Sequence, residues 1–289
     1  MALISIIKLM QQIYKIISKI FYYFLLIVSP MSNIRYYKNP LLNKPNKSEK
    51  DYVDLANFTS NLLNNEIDLY ENDVGYKIDK IWLDNLALKT QIVIKSSKLN
   101  YAHGRVLYTA LREYIKKNDI KKISILETGT ARGFSSLCMA KALQDSEING
   151  IICTFDLIPH NVKMFWNTIT DHKIGKITRE ELLSEWDTLI EKFIIFIQGY
   201  SYIELPKVKF KRINFAFLDG AHSYKDVIFE FNQIKNLQLT GDIIIFDDYN
   251  KKLFPGIVKA VDKICLYNNY EKKIINTIDE RSYVIAKKL

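Results

Sequence analysis

The chain has little of what punctuates or cross-links a fold. Its 289 residues include only 10 glycines, 6 prolines and 3 cysteines. So little Gly and Pro excludes a low-complexity or linker-dominated chain. Cys138, Cys153 and Cys265 form no C-x-x-C pair, and two of them sit in apolar runs. They read as buried, reduced thiols, which suits a reducing compartment and a cytoplasmic protein. The four histidines show no spacing that would build a zinc site with them. No G-x-x-x-x-G-K-[ST] segment occurs, so a P-loop is excluded. With 48% hydrophobic and 25% charged residues, the composition is that of an ordinary folded protein.

The net charge of +9 is unevenly placed. Residues 1–50 carry Lys8, Lys15, Lys19, Arg35, Lys38, Lys44, Lys47 and Lys50 against Glu49 alone. That segment accounts for +7, which leaves the rest of the chain close to neutral. A nucleic-acid substrate calls for positive charge around the reacting centre. The pattern therefore argues against nucleic acid as a partner.

Residues 4–28 have helical periodicity. Ser5, Lys8, Gln11, Gln12, Lys15, Ser18 and Lys19 share one face, and Ile6, Leu9, Met10, Ile13, Ile16 and Ile17 the other. The helix turns wholly apolar over Ile20–Val28 and stops before Pro30. That run is short of the roughly 20 apolar residues a transmembrane span needs. A signal peptide lacks its cleavage site here. An in-plane helix at a membrane surface fits residues 1–30 best, and a helix packed on its own domain or on a second subunit of a homo-oligomer is the other reading. Residues 31–50 read as a basic linker, and residues 51–100 as a helical cap region.

From about residue 100, short apolar runs alternate with helical segments. Lys122–Glu127, Ile151–Asp156, Ile194–Gln198, Asn214–Asp219 and Asp242–Asp247 read as strands, followed by weaker runs at Lys273–Ile278 and Ser282–Ala286. Continuous apolar runs such as Ile243–Phe246 suit strands buried on both faces. The expected fold is α/β, a doubly wound, mostly parallel seven-stranded sheet. Four runs end on an acidic residue: Glu127, Asp156, Asp219 and the pair Asp247-Asp248. Ligands of an open parallel sheet bind outside the carboxyl ends of its strands. No Lys or Arg cluster at those ends is available to neutralise the carboxylates, so a cation, sugar hydroxyls or backbone N–H groups are the expected partners.

After the first strand comes Glu127-Thr-Gly129-Thr-Ala131-Arg-Gly133-Phe-Ser135-Ser, opening an apolar helix over Leu137–Leu143. The glycines allow a tight turn and close ligand approach, and Ser135 or Ser136 can cap the helix. A dinucleotide fingerprint from Gly129 would end at Phe134, so it fails.

The E-x-G-x-x-x-G loop followed by Asp156 resembles the first two motifs of class I S-adenosylmethionine-dependent methyltransferases. Phe217-Leu-Asp-Gly-Ala-His-Ser-Tyr224, Ile245-Phe-Asp-Asp-Tyr249 and Pro255-Gly-Ile-Val-Lys-Ala-Val261 resemble the macrocin and rhamnosyl O-methyltransferases and the cephalosporin-hydroxylase-like group. The resemblance covers residues 100–289. It implies a Rossmann-like methyltransferase that transfers a methyl group from S-adenosyl-L-methionine to a hydroxyl of a sugar or glycan-type small molecule. It implies that Glu127, Gly129, Thr130, Gly133 and Ser135 hold the cofactor loop and the methionine part, and that Asp156 holds the ribose. Gly199, Tyr200 and Ser201 would lie beside the adenine. Asp219, Asp247 and Asp248 match carboxylates that hold a divalent metal, usually Mg2+, and an all-oxygen set suits a hard cation.

Ala221 stands where the family often has a second Asp, so His222 is the expected base, with Asp219 the other catalytic residue. His103 reads as a capping residue of the helix before the first strand, and a place facing the site is the other reading. Residues 157–192 read as a lid or as ordinary helix packing. Rival readings are a metal-free methyltransferase and a membrane-associated scaffold that keeps the fold without catalysis.

Overall fold

The structure is a computed structural model that describes residues 44–45, 47–95, 98–278 and 281–289. The amphipathic helix expected over residues 4–28 lies outside the described residues. Among the described residues, no helix is long and apolar enough to cross a membrane.

The helices, in chain order, are α1 (Glu49–Ser60), α2 (Asn65–Val74), α3 (Lys80–Thr90), α4 (His103–Lys117), α5 (Phe134–Asp145), α6 (Thr170–Lys173), α7 (Arg179–Leu183), α8 (Asp187–Phe193), α9 (Ser201–Glu204), α10 (Tyr224–Ile234) and α11 (Pro255–Tyr267). The strands are β1 (Lys122–Thr128), β2 (Asn149–Asp156), β3 (Ile194–Gln198), β4 (Phe215–Leu218), β5 (Ile243–Phe246), β6 (Tyr270–Asn276) and β7 (Ser282–Lys288). They form one seven-stranded sheet in the order β3-β2-β1-β4-β5-β7-β6. The pairs from β3 through β5 are parallel, and β7 runs antiparallel to both β5 and β6.

Side chains alternate across each strand, and the two cores divide accordingly. Ile125, Phe215, Phe217, Ile243, Ile245 and Tyr283 enter the larger core with α1–α5 and α8. Leu126, Ala216, Leu218, Ile244, Phe246 and Val284 face α10 and α11 on the other side. All four residues of β4 and all four of β5 are buried, which explains their unbroken apolar sequence.

Residues 49–90 share the larger core rather than forming a separate one. Ser48 caps α1 in a capping box with Asp51, so α1 begins inside the stretch read as linker. Arg105 Nε donates to Glu71 at 2.8 Å, tying α2 to α4. The backbone N–H of Asn276 donates to Glu66 at 2.8 Å, tying α2 to the end of β6.

The 157–192 segment is a packed buttress. Trp166 is fully buried, and its indole N–H donates to Ile177 O at 2.9 Å. Asp171 accepts from the backbone N–H groups of Trp166 and Asn167. Arg179 donates to Ala131 O and Ile158 O, each at 3.0 Å, and Arg132 donates to Trp166 O at 2.7 Å. Two buried guanidiniums thus fasten this segment to the loop after β1. Neither was legible as functional from sequence, because an isolated arginine carries no spacing signal.

Candidate active site

The strand order reverses between β1 and its neighbours β2 and β4, and the loops at the carboxyl ends of these strands meet there. Gly129 and Gly133 adopt φ of 90° and 91°, in the left-handed region. A Cβ at Gly129 would lie 2.1 Å from Asp219 O. The loop after β1 therefore rests directly on the backbone that carries Asp219, and only glycine permits this. Ala131 also has a positive φ, 46°, a conformation that glycine adopts at less cost.

The expected cofactor residues converge along this rim. Gly129 N donates to Phe155 O at 2.9 Å, and Gly133 N to Thr130 O at 2.7 Å. Thr130 shares a hydroxyl–hydroxyl hydrogen bond with Thr154. Asp156 accepts from Ala131 N at 2.6 Å and from Ile158 N at 2.8 Å, so its carboxylate organises the loop from the β2 side. Gly199 N donates to Asp156 O at 2.8 Å, and Tyr200 and Ser201 follow it into α9.

Glu127 is fully buried, and its two oxygens accept from the hydroxyls of Ser135 and Ser136. Burial raises its pKa, against the lowering effect of those bonds. The capping role expected for Ser135 or Ser136 is corrected here. The N-cap of α5 is Gly133, and both hydroxyls turn inward to the carboxylate. A buried carboxylate left without donors is more costly than a helix N-terminus without a side-chain cap.

At the ends of β4 and β5 the acids divide into two kinds. Asp247 is buried, and both of its oxygens are held by Arg281, with Nε donating at 3.0 Å. Asp248 N donates to Asp247 at 2.6 Å, and Arg281 Nε lies 3.2 Å from Asp248. The sequence offers no Lys or Arg cluster to neutralise all of these carboxylates, yet one arginine serves this pair. Antiparallel β7 starts at the rim where the parallel strands end, and it brings Arg281 there.

Asp219, His222 and Asp248 form the second group, with ligand atoms all within 4.8 Å of one another. His222 Nε2 lies 2.8 Å from Asp248 Oδ2, and its ring tilts over Phe254 at 4.9 Å. Burial lowers the imidazole pKa, but the bond to Asp248 and the charges of Asp248 and Asp247 outweigh it, and the net shift is upward. Asp219 accepts no hydrogen bond among the described residues. Burial and repulsion from Asp247 and Asp248 push its pKa well above the usual carboxylate range. The expected trio of Asp219, Asp247 and Asp248 thus lies at one place, but Asp247 is engaged by arginine and His222 takes its position in the cluster.

His103, at the start of α4, is buried against Phe134 at 4.8 Å and Phe217 at 6.4 Å. Burial, with Arg281 and Lys95 nearby, holds its pKa well below the ordinary value, so it is a neutral imidazole.

Glu230 of α10 is buried behind the loop. One oxygen accepts from Thr128 Oγ1 at 2.9 Å, and the other has no partner among the described residues. Burial raises its pKa from 4.5 to about 7, against the lowering bonds from Ser201 and Thr128. Between those values the native chain binds more protons than the unfolded one, so stability falls as pH rises. The stability is intact below pH 4.5 and is lost through about 7. A shift of this size corresponds to about 3 kcal/mol. Glu230→Gln is therefore expected to gain roughly 1–3 kcal/mol at pH 8 and little at pH 4.5. Urea unfolding at both pH values measures it, and an equal gain at both would refute the assignment.

Residues 126–249 match the family model described as a methyltransferase domain. The fold around that domain is a Rossmann-like methyltransferase fold. The chain is similar to the O-methyltransferase NovP, at 15% identity and a TM-score of 0.51, covering 83% of this chain and 99% of NovP. It is equally similar to the O-methyltransferase TomG from Streptomyces achromogenes, solved in complex with SAM and involved in tomaymycin synthesis. That match has 15% identity and a TM-score of 0.51 over 78% of this chain and 97% of TomG. No curated protein sequence matches the chain.

Proposed function

We propose that this protein is an S-adenosyl-L-methionine-dependent O-methyltransferase acting on a hydroxyl of a sugar or glycan-type small molecule, assisted by a divalent cation such as Mg2+. The observation that carries the reading is the 2.1 Å approach a Gly129 Cβ would make to Asp219 O. It sets the cofactor loop directly against the acids that would receive the acceptor.

In this reading Asp156 grips the ribose, Glu127 and Ser135 shape the pocket for the methionine part, and Gly199, Tyr200 and Ser201 border the adenine. The residues present fit a cation. Asp219 has an unpartnered carboxylate, Asp248 lies beside it, and oxygen donors suit a hard ion. Asp219 and Asp248 would hold it, with Asp247 positioned behind them by Arg281. A cation bound there lowers the pKa of a coordinated hydroxyl. His222 takes the acceptor proton. Its Nε2–H donates to Asp248, which fixes the tautomer and leaves Nδ1 to accept. The raised imidazole pKa reflects how Asp248 stabilises the imidazolium that forms. Alignment of the acceptor oxygen with the sulfonium methyl supplies much of the remaining rate.

Calorimetry of the full chain with S-adenosylmethionine is expected to show one site per chain, and no binding would reject the reading in favour of a non-catalytic scaffold. Methyl transfer to a panel of hydroxylated glycans, with and without EDTA, tests the rest. Full activity in EDTA would refute cation assistance while leaving the methyltransferase reading intact.

A further inference from the structure

Between α1, residues 93–95 and 98–99, and Ile278 lies a cavity of about 530 Å³. Small-molecule sites commonly span about 300–1,000 Å³. Its walls are largely apolar, formed by Leu55, Phe58, Val93, Leu99 and Ile278. Three cations line it as well: Lys47, Lys95 and Lys98. Among the described lining residues the one carboxylate, Asp51, is taken up by the capping box with Ser48, so their uncompensated charge is positive.

Lys95 stands out among the three. It is partly exposed, and it has no hydrogen bond or ion pair among the described residues. Desolvation depresses its pKa to about 8. An ammonium partly withdrawn from water without a partner is costly, and a bound anion would offset that cost.

Several contacts tie the cavity to the catalytic centre. Ile278 lies in the turn that Thr277 closes by donating from N and Oγ1 to Arg281 O at 2.8 and 2.7 Å. The Arg281 side chain holds Asp247. Asn167 Nδ2 donates to Ile94 O at 3.1 Å, and Asn167 Oδ1 accepts from Tyr52 of α1 at 2.8 Å. The adjacent Trp166 carbonyl anchors Arg132 of the cofactor loop. Lys95 itself lies within the field of Asp247 and Asp248.

We propose that this cavity is the acceptor pocket, and that it takes an acceptor whose hydroxylated part is carried on an apolar body bearing an anionic group, with the anion seated on Lys95. A neutral sugar alone would leave the apolar walls wet and Lys95 unpaired. The proposal rests on the methyl-transfer reading and specifies its substrate class.

The test uses the full chain and two fluorescent probes with closely similar apolar bodies: anilinonaphthalene sulfonate, which is anionic, and phenylnaphthylamine, which is neutral. The anionic probe is expected to bind about tenfold more tightly than the neutral one. Lys95→Gln is expected to erase that preference and leave neutral-probe binding unchanged. Phe58→Ser, at an exposed position that folding tolerates, is expected to weaken both probes. Calorimetric affinity for S-adenosylmethionine should be the same in all variants. Anionic-probe affinity within about twofold of the parent in Lys95→Gln would overturn the proposal. So would indifference of both probes to Phe58→Ser. Binding of neither probe would mean that the chain itself fills the cavity, and overturns it too. If the probes behave as expected but S-adenosylmethionine does not bind, the cavity is an apolar-anion site, and its acceptor role falls with the methyl-transfer reading. If the cofactor binds and the lysine variant has no effect, the pocket assignment alone fails.

Discussion

Asp219→Asn is expected to lower kcat by about a hundredfold or more while raising the melting temperature. Asp219 sits at the end of β4 with no hydrogen-bond partner among the described residues, under repulsion from Asp247 and Asp248. The amide removes that repulsion at equal volume. A gain of about 1 kcal/mol corresponds to roughly 2–4 °C for a chain of this size. Stability rising as activity falls is the signature of a carboxylate kept for function. Asp247→Asn makes the same chemical change one strand over, with the opposite expected effect on stability. Asp247 is buried with both oxygens on Arg281, and removing its charge leaves the guanidinium without that partner. Breaking a buried pair costs roughly 3–5 kcal/mol. Thermal unfolding of the two variants side by side decides the matter. Equal shifts of one sign would refute the division of these acids into a structural and a functional kind.

Gly129→Ala is the second substitution expected to have a large effect. The new Cβ would stand 2.1 Å from Asp219 O, a backbone atom with no rotamer to escape into. The residue would also keep a φ of 90°. Together these cost roughly 3 kcal/mol or more, and relief requires parting the β1 and β4 loops. Loss of S-adenosylmethionine binding is expected wherever the variant still folds. Ala131→Gly serves as the control, because it relieves a left-handed alanine in the same loop and blocks nothing. Its expected outcome is unchanged cofactor binding and a stability gain of at most about 1 kcal/mol, the strain relieved being offset by glycine's chain entropy. Calorimetry on both variants checks this. Wild-type affinity in Gly129→Ala would show that the loop is not pinned by that contact.

Much of the sheet was legible because its signal is local. Strands buried on both faces read as apolar runs, and the expected Ile194–Gln198 coincides with β3, while β1 and β2 are longer than expected by one or two residues at one end and β4 and β5 shorter by one residue at each end. The weaker runs were less well placed: β6 starts earlier, at Tyr270, and ends at Asn276 rather than Ile278, and β7 extends to Lys288, where exposed charges interrupt the apolar pattern. The loop after β1 was legible for the same reason. Gly129, Gly133 and Asp156 each lie within a few residues of a strand end, so position along the chain nearly determines position in space.

The partners of the side chains were not legible in this way. Ser135 and Ser136 look like helix caps until Glu127, eight residues earlier in the chain, claims both hydroxyls. Asp247 and Asp248 look alike until Arg281, on a hairpin that no motif marks, takes both oxygens of the first. Lys95 looks like a surface lysine until the fold sets it on a cavity beside α1.

The sequence by itself determined the class of this protein: a doubly wound sheet, a glycine loop after its first strand, and acids at the strand ends. Those features follow from side-chain periodicity and from the conformational freedom of glycine, which act over short stretches of chain. Only the tertiary structure decided which acids are neutralised and which remain open. Neutralisation depends on distances of a few ångströms between residues far apart in the chain, and the antiparallel entry of β7 sets those distances at this rim.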